Sequence, residues 1–191
     1  MNDDIIKFNT EDSLTQGTVI PQKTKVFNLV SEEHPILREV MPEFNFDNPP
    51  VNPNEFASAL VETCKHYHGY GLSASQCGFK HRVFVMGHDD DYVAFFNPKL
   101  LTTTGESHIV EGCLSFPLLG LHITRAQLIT VEYHDFTGTK REATFSGISA
   151  RCFLHELDHQ DGIVYTQRVK PMALQMGIKK RNKIIKKLRI K

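Results

Sequence analysis

The chain has 191 residues, 40% hydrophobic and 23% charged, enough for one well-buried core and not obviously long enough for two, so a single domain is expected. No apolar run approaches a membrane span, and the opening Met1-Asn2-Asp3-Asp4 is acidic where a secretory or transit peptide would be basic, so a cytoplasmic protein is expected. Net charge is zero but unevenly placed: Lys179, Lys180, Arg181, Lys183, Lys186, Lys187, Arg189 and Lys191 crowd the end of the chain with no acid among them, leaving 14 basic residues against 22 acidic ones upstream.

Residues 1–24 are polar and without periodicity, and read as an N-terminal extension to a catalytic body over 25–170. Lys25 to Val30 is a short strand-like run, and Asp47 to Asn52 is a loop by composition. A helix over about 53–68 follows from its start signals: Asn52 can cap, Pro53 suits the first helical position and Glu55 stands three residues after the cap. Phe56, Leu60, Cys64 and Tyr67 recur at helical spacing, and Gly69 is placed to end the run.

Short β-like runs come next: Arg82 to Met86, Tyr92 to Asn97, Gln127 to Tyr133 and Arg141 to Ser146. The acidic turn at 89–91 lacks a calcium ligand ladder and reads as a solvated hairpin tip. A second helix is expected from Gly147-Ile148-Ser149 through His159, ending at Gly162. Ile148, Cys152, His155 and His159 then share one face. A last helix, Met172 to Ile190, alternates apolar and basic positions and should pack loosely at its end, so 171–191 reads as a basic helix or tail. Its charge suits contact with nucleic acid or an acidic surface, and equally a solvated helix end drawn to the acidic body.

The four cysteines, Cys64, Cys77, Cys113 and Cys152, have no CxxC spacing and are expected to be free thiols, any of which could serve as a thiolate ligand. Cys64 lies on the apolar stripe of the first helix and reads as core. His155-Glu156-Leu157-Asp158-His159 is an HExxH segment, which on a helix sets two imidazoles one turn apart with a carboxylate beside them. After His159 the chain contains no His, no Glu and a single Asp, Asp161, which would point off the ligand face. The downstream ligands of thermolysin-like and metzincin proteases are therefore absent, and a third ligand must come from upstream.

Two upstream segments complete the pattern: Gly69-Tyr70-Gly71-Leu72-Ser73-Ala74-Ser75-Gln76 and Glu111-Gly112-Cys113-Leu114-Ser115. Together with the HExxH segment, and in this order, they resemble the GxGxAAxQ, EGCLS and HExDH motifs of the peptide deformylases. The resemblance implies an α+β fold with antiparallel sheets packed around a central HExxH-bearing helix. It implies metal ligation by Cys113, His155 and His159, with ferrous iron as the physiological ion and zinc, nickel or cobalt able to take the same ligands. The reaction implied is hydrolysis of the N-formyl group from the N-terminal formyl-methionine of nascent polypeptides. A metal-activated water would attack, Glu156 would act as general base and acid, and the Gln76 side chain and Leu114 backbone N–H would meet the oxyanion.

For the substrate, Gly71 and Gly112 would admit a peptide as an added strand. Ile148 and Cys152 on the helix face, with Tyr70 opposite, would line a methionine pocket. Three residues depart from the family pattern: Ser73 for Ala, Leu154 for the Gln before the first His, and Gln160 for the Leu after the second. Ser73 is a small change suited to a tight turn, and Leu154 and Gln160 touch neither ligand nor base but bear on the support behind them. Arg151, one turn before the site, could meet substrate or Glu111. The remaining histidines lack ligand spacing and read as surface or hydrogen-bonded side chains. A monomer is expected, with ribosome contact through the basic tail as a further expectation. The runner-up functions are an unusual Cys-ligated metallopeptidase and a non-catalytic binder of nascent chains, against which the base Glu156 argues.

Overall fold

The computed structural model describes residues 25–188; the expected N-terminal extension over 1–24 and the tail residues 189–191 lie outside them. It is an α+β protein with two antiparallel sheets. Helix α1, Pro53–His66, is followed by β1 Gly71–Ser73, β2 Val83–His88 and β3 Asp91–Thr104. Then come β4 Ser107–Cys113, β5 Phe116–Arg125, β6 Leu128–His134 and β7 Lys140–Ser146. Helices α2, Gly147–Gln160, and α3, Pro171–Leu188, follow among the described residues. One sheet runs in the order β1-β2-β3-β6-β7, and β4 and β5 form a second sheet of two strands.

Helix α1 begins as its sequence dictates, with the Asn52 side chain accepting from the backbone of Asn54 and Glu55 at 3.1 Å each. Its apolar stripe, including Cys64 at 0% exposure, enters one core cluster with Leu72, Val83, Val85 and Phe96. The helix ends differently from expectation. His68, not Gly69, takes the left-handed conformation at φ 55°, while Gly69 is needed for close approach, since a Cβ there would lie 2.8 Å from Leu114 Cδ1. Lys25 to Val30 is not a strand either. Its backbone is held by single bonds, Phe27 N–H to Thr63 Oγ1 at 2.9 Å and Val30 N–H to the Gln76 carbonyl at 2.8 Å, while Phe27 packs edge-on against Phe79.

The hairpin of β2 and β3 turns at Asp89 and Asp90, both exposed, as the acidic tip requires. Strand β3 runs seven residues beyond the expected Asn97, past a register shift between Phe96 and Lys99, to pair with β6. The β4–β5 sheet was not apparent from the sequence and is the element that carries Cys113. It is bulged between Glu111 and Cys113, which turns the thiol out of strict alternation.

Helix α2 lies against β1, β2, β6 and β7 with Phe153, Ala150 and Leu157 in a cluster with Phe84, Phe95 and Phe145. Helix α3 buries no residue fully, yet it is seated on β5. Gly177 allows this approach, because a Cβ there would lie 2.6 Å from Leu121 Cδ2, and Arg181 pairs with Glu32 at 2.6 Å. Among the described residues no helix is long and apolar enough to cross a membrane.

Candidate metal centre and active site

Helical geometry places His155 and His159 on one face of α2, with ring centroids 5.2 Å apart. The bulge after Glu111 brings Cys113 to them, and the donor atoms of Cys113, His155 and His159 lie within 4.8 Å of one another. Tetrahedral coordination at ordinary bond lengths separates a sulfur and a nitrogen donor by about 3.5 Å. The Cys113 Sγ to His159 Nε2 distance is 3.4 Å, so this pair already has the spacing that a metal ion requires.

The ring orientations fit the same purpose. His155 directs Nδ1 to Glu111 Oε2 at 3.1 Å, which leaves its Nε2 as the donor. Burial, then the neighbouring His155 and Arg125, lower His159 well below the ordinary imidazole range, keeping it in the neutral form that ligates. Burial also opposes a charge on His155, but the Cys113 and Glu111 hydrogen bonds outweigh it and push the group up to about 10. Of the other thiols, burial raises Cys64 and Cys152 far up and Cys77 to about 12, which holds them protonated.

Behind the ligands lies a buried ionic cluster, of which the sequence marks only Glu111 and Arg151. Glu111 accepts from Arg125 Nε at 2.6 Å and Nη2 at 2.9 Å, and from Arg151 Nη1 at 2.5 Å. Arg125 reaches Asp158 at 2.8 Å, and Arg168 also pairs with Asp158. Burial would raise the Glu111 carboxyl, but the His155 and Arg125 bonds outweigh it and hold it at about 2. Arg151 is thereby committed to Glu111 and to the Ser107 carbonyl at 2.7 Å. Arg125, Asp158 and Arg168 were not singled out in advance; the Asp of HELDH was the available signal.

Glu156 is 3% exposed, one residue along α2 from His155. Burial raises its carboxyl above the ordinary range, against the attraction of His155 and a 2.8 Å hydrogen bond from Ser73 Oγ to Oε2. Gln76 is clamped by its Oε1, which accepts from Ser73 N–H at 2.8 Å. Its amide nitrogen therefore points to Ser115 Oγ at 3.2 Å and Cys113 Sγ at 3.4 Å, beside the ligand trio. Leu114 follows Cys113 and is half-buried against the α1 cluster.

Gly71 lies directly over the base: a Cβ there would come within 2.6 Å of Glu156 Oε1 and 2.8 Å of Cys152 Sγ. At Gly112 a Cβ would meet nothing within 4 Å. Ile148 and Cys152 are half-buried along α2. Tyr70 is 55% exposed and stacks on His88 with centroids 5.5 Å apart, at the rim near Gly71. Asp161 is turned away to Arg82 at 2.8 Å, so it contributes nothing to the trio.

An HExxH helix whose third donor is a cysteine sulfur from an upstream strand, backed by a buried carboxylate, defines a metallohydrolase class distinct from the zincin proteases. The chain belongs to the polypeptide deformylase family, whose model matches residues 26–175. It is 37% identical over 139 residues to the peptide deformylase of Thermotoga maritima, covering 72% of this chain and 83% of that one. It is 40% identical over 123 residues to that of Thermotoga neapolitana, covering 64% and 74%. Among solved structures, the Legionella pneumophila peptide deformylase superposes with a TM-score of 0.77 at 26% identity, over 87% of this chain and 99% of that one. The Synechococcus elongatus enzyme, solved in complex with actinonin, gives 0.76 at 26% identity, over 84% and 92%. The protein is accordingly an enzyme of the deformylase type, a family that removes N-formyl groups from nascent peptides.

Proposed function

We propose that this chain hydrolyses the formyl group of formyl-methionyl peptides at the Cys113–His155–His159 centre, with Glu156 as general base and acid. The observation that carries the reading is the convergence of those three donors within 4.8 Å beside a buried carboxylate. A divalent cation bound there would supply a Lewis acid that brings water toward ionisation near neutral pH. Ferrous iron is the proposed ion, with zinc, nickel or cobalt able to occupy the same ligands.

Each residue has a separable part. Glu156, raised by burial, takes a proton from the attacking water and returns it to the leaving amine. Gln76 Nε2, held by the Ser73 backbone, donates to the oxyanion that develops on the formyl oxygen, joined by the Leu114 backbone N–H. Glu111 fixes the ring of His155. Gly71 and Gly112 line the path of a peptide laid along the sheet edge, and Tyr70, Ile148 and Cys152 wall the methionine pocket.

The domain reading is a catalytic unit over 25–170 with the basic C-terminal segment 171–191 as an accessory that contacts the ribosome; cytoplasmic, monomeric action belongs to the same reading. The test is hydrolysis of formyl-Met-Ala-Ser by the iron-loaded wild type and by Glu156→Ala. Activity that disappears in the variant while the protein still binds one metal per chain supports the reading, and full activity in Glu156→Ala sinks it.

A further inference from the structure

Two of the three departures from the family pattern, Ser73 and Gln160, meet in space although 87 residues separate them. Gln160, at the end of α2 and 0% exposed, directs Nε2 to Ser73 Oγ at 2.9 Å. The Val83 carbonyl oxygen lies 3.4 Å from the same nitrogen, so the amide nitrogen has two acceptors in this orientation, while Gln160 Oε1 has no hydrogen-bond partner among the described residues. Ser73, in β1, is fully buried as well.

A hydroxyl has one hydrogen. With Gln160 donating to the Ser73 oxygen, that hydrogen is directed away from Gln160 and toward Glu156, whose Oε2 at 2.8 Å is nearer than its carbonyl oxygen at 3.2 Å. The other carboxylate oxygen, Oε1, rests against Gly71. A glutamate's terminal torsion is intrinsically broad, so a carboxylate without such a donor samples many rotations.

We propose that Gln160 and Ser73 form a two-bond brace that fixes the rotation of the Glu156 carboxylate by engaging Oε2 and holding Oε1 beside Gly71. The brace replaces the apolar Ala and Leu usual at these two positions. Ser73 and Gln160 are positioning residues that act through Glu156, and the proposal rests on the reading of Glu156 as the base. A purely structural pair would instead serve only to satisfy a buried amide and would leave turnover untouched.

The experiment compares the metal-loaded full chain with Ser73→Ala, Gln160→Leu and the double variant, measuring kcat, KM and the thermal unfolding midpoint. Ser73→Ala should lower kcat about tenfold with KM within about twofold, the scale of one hydrogen bond to a charged group. It should also lower the unfolding midpoint, because the Gln160 amide loses its better acceptor. The double variant removes the orphaned amide, so its midpoint should recover while kcat stays about tenfold down. Gln160→Leu should lower kcat in the wild-type background and not in Ser73→Ala. Recovery of kcat together with the midpoint in the double variant would show packing alone and overturn the brace, as would independent kcat losses from the two substitutions. An inactive wild type, or Glu156→Ala as active as it, overturns the base assignment and the brace with it.

Discussion

His155 Nδ1 lies 3.1 Å from Glu111 Oε2, and the same carboxylate is gripped by the guanidinium groups of Arg125 and Arg151. The metal-ligand helix is thereby tied to the strand that supplies Cys113 through a carboxylate only two residues from the thiol. Ring orientation and the approach of the thiol-bearing strand are tied to one buried charge cluster.

Replacing Glu111 by Gln keeps the volume and removes the charge. Two buried guanidinium groups then lose their shared partner, which costs about 3–5 kcal/mol of stability. The His155 ring also loses its orienting acceptor, which lowers metal affinity by roughly 10–100-fold. Denaturant unfolding and competition with a chelator measure the two effects. Wild-type metal affinity in Glu111→Gln would show that the ring is held by packing instead.

The cluster also sets a pH profile. Glu111 titrates at about 2 in the folded protein against an ordinary value of 4.5, so the unfolded chain takes up its proton first as pH falls. The stability it contributes is complete above about pH 4.5 and is lost toward pH 2. In metal-stripped protein His155 adds the opposite limb: pushed up to about 10 from 6.5, its contribution is complete below pH 6.5 and lost as pH rises toward 10. His159, held neutral by burial, loses its contribution as pH falls below 6.5, so the thermal unfolding midpoint of the metal-stripped chain should be highest near pH 6.5, and metal loading should flatten the alkaline limb. A midpoint that is level from pH 6.5 to 10 without metal would contradict the His155 assignment.

The sequence exposed the ligands and base because helical spacing and three ordered motifs are local signals: His155, Glu156 and His159 lie within one turn, and Cys113 within a five-residue motif. The helices were legible from caps and stripes, Asn52 and Pro53 above all. The β4–β5 sheet was not, because Pro117 and Leu118 interrupt the alternation of β5 and Arg125 occupies an inward position that reads as polar. The Glu111–Arg125–Asp158 cluster joins residues 14 and 33 positions apart, a pairing no local pattern encodes. For the same reason Ser73 and Gln160 read as unrelated departures, although both lie behind the base.

Gly71 and Gly112 should separate cleanly under substitution. At Gly71 a Cβ would stand 2.6 Å from Glu156 Oε1 and 2.8 Å from Cys152 Sγ, so Gly71→Ala displaces the base and should reduce kcat by at least about 10-fold. At Gly112 the corresponding space is open, so Gly112→Ala should fold with an unchanged unfolding midpoint. Any loss there should appear in KM, because the methyl group then obstructs only an incoming peptide. Equal effects of the two substitutions on kcat would contradict the placement of Gly71 over the base.

Helix α3 separates anchoring from charge. Leu174 and Ile178 pack on the cluster around Phe116 and Leu121, and Arg181 is committed to Glu32. Lys183, Lys186 and Lys187 lie beyond this anchor and are exposed. Reversing all three to Glu should leave the midpoint and the hydrolysis of short formyl peptides unchanged, since neither the packing nor the centre is touched. If these charges carry ribosome contact, the variant should lose co-sedimentation with ribosomes, and wild-type binding should weaken steeply as salt is raised. Binding that persists in the variant would assign the positive charge to solubility or to attraction toward the acidic body. Arg181→Ala is the complementary probe: it frees Glu32 and loosens the helix, so it should lower stability without abolishing a charge-driven contact.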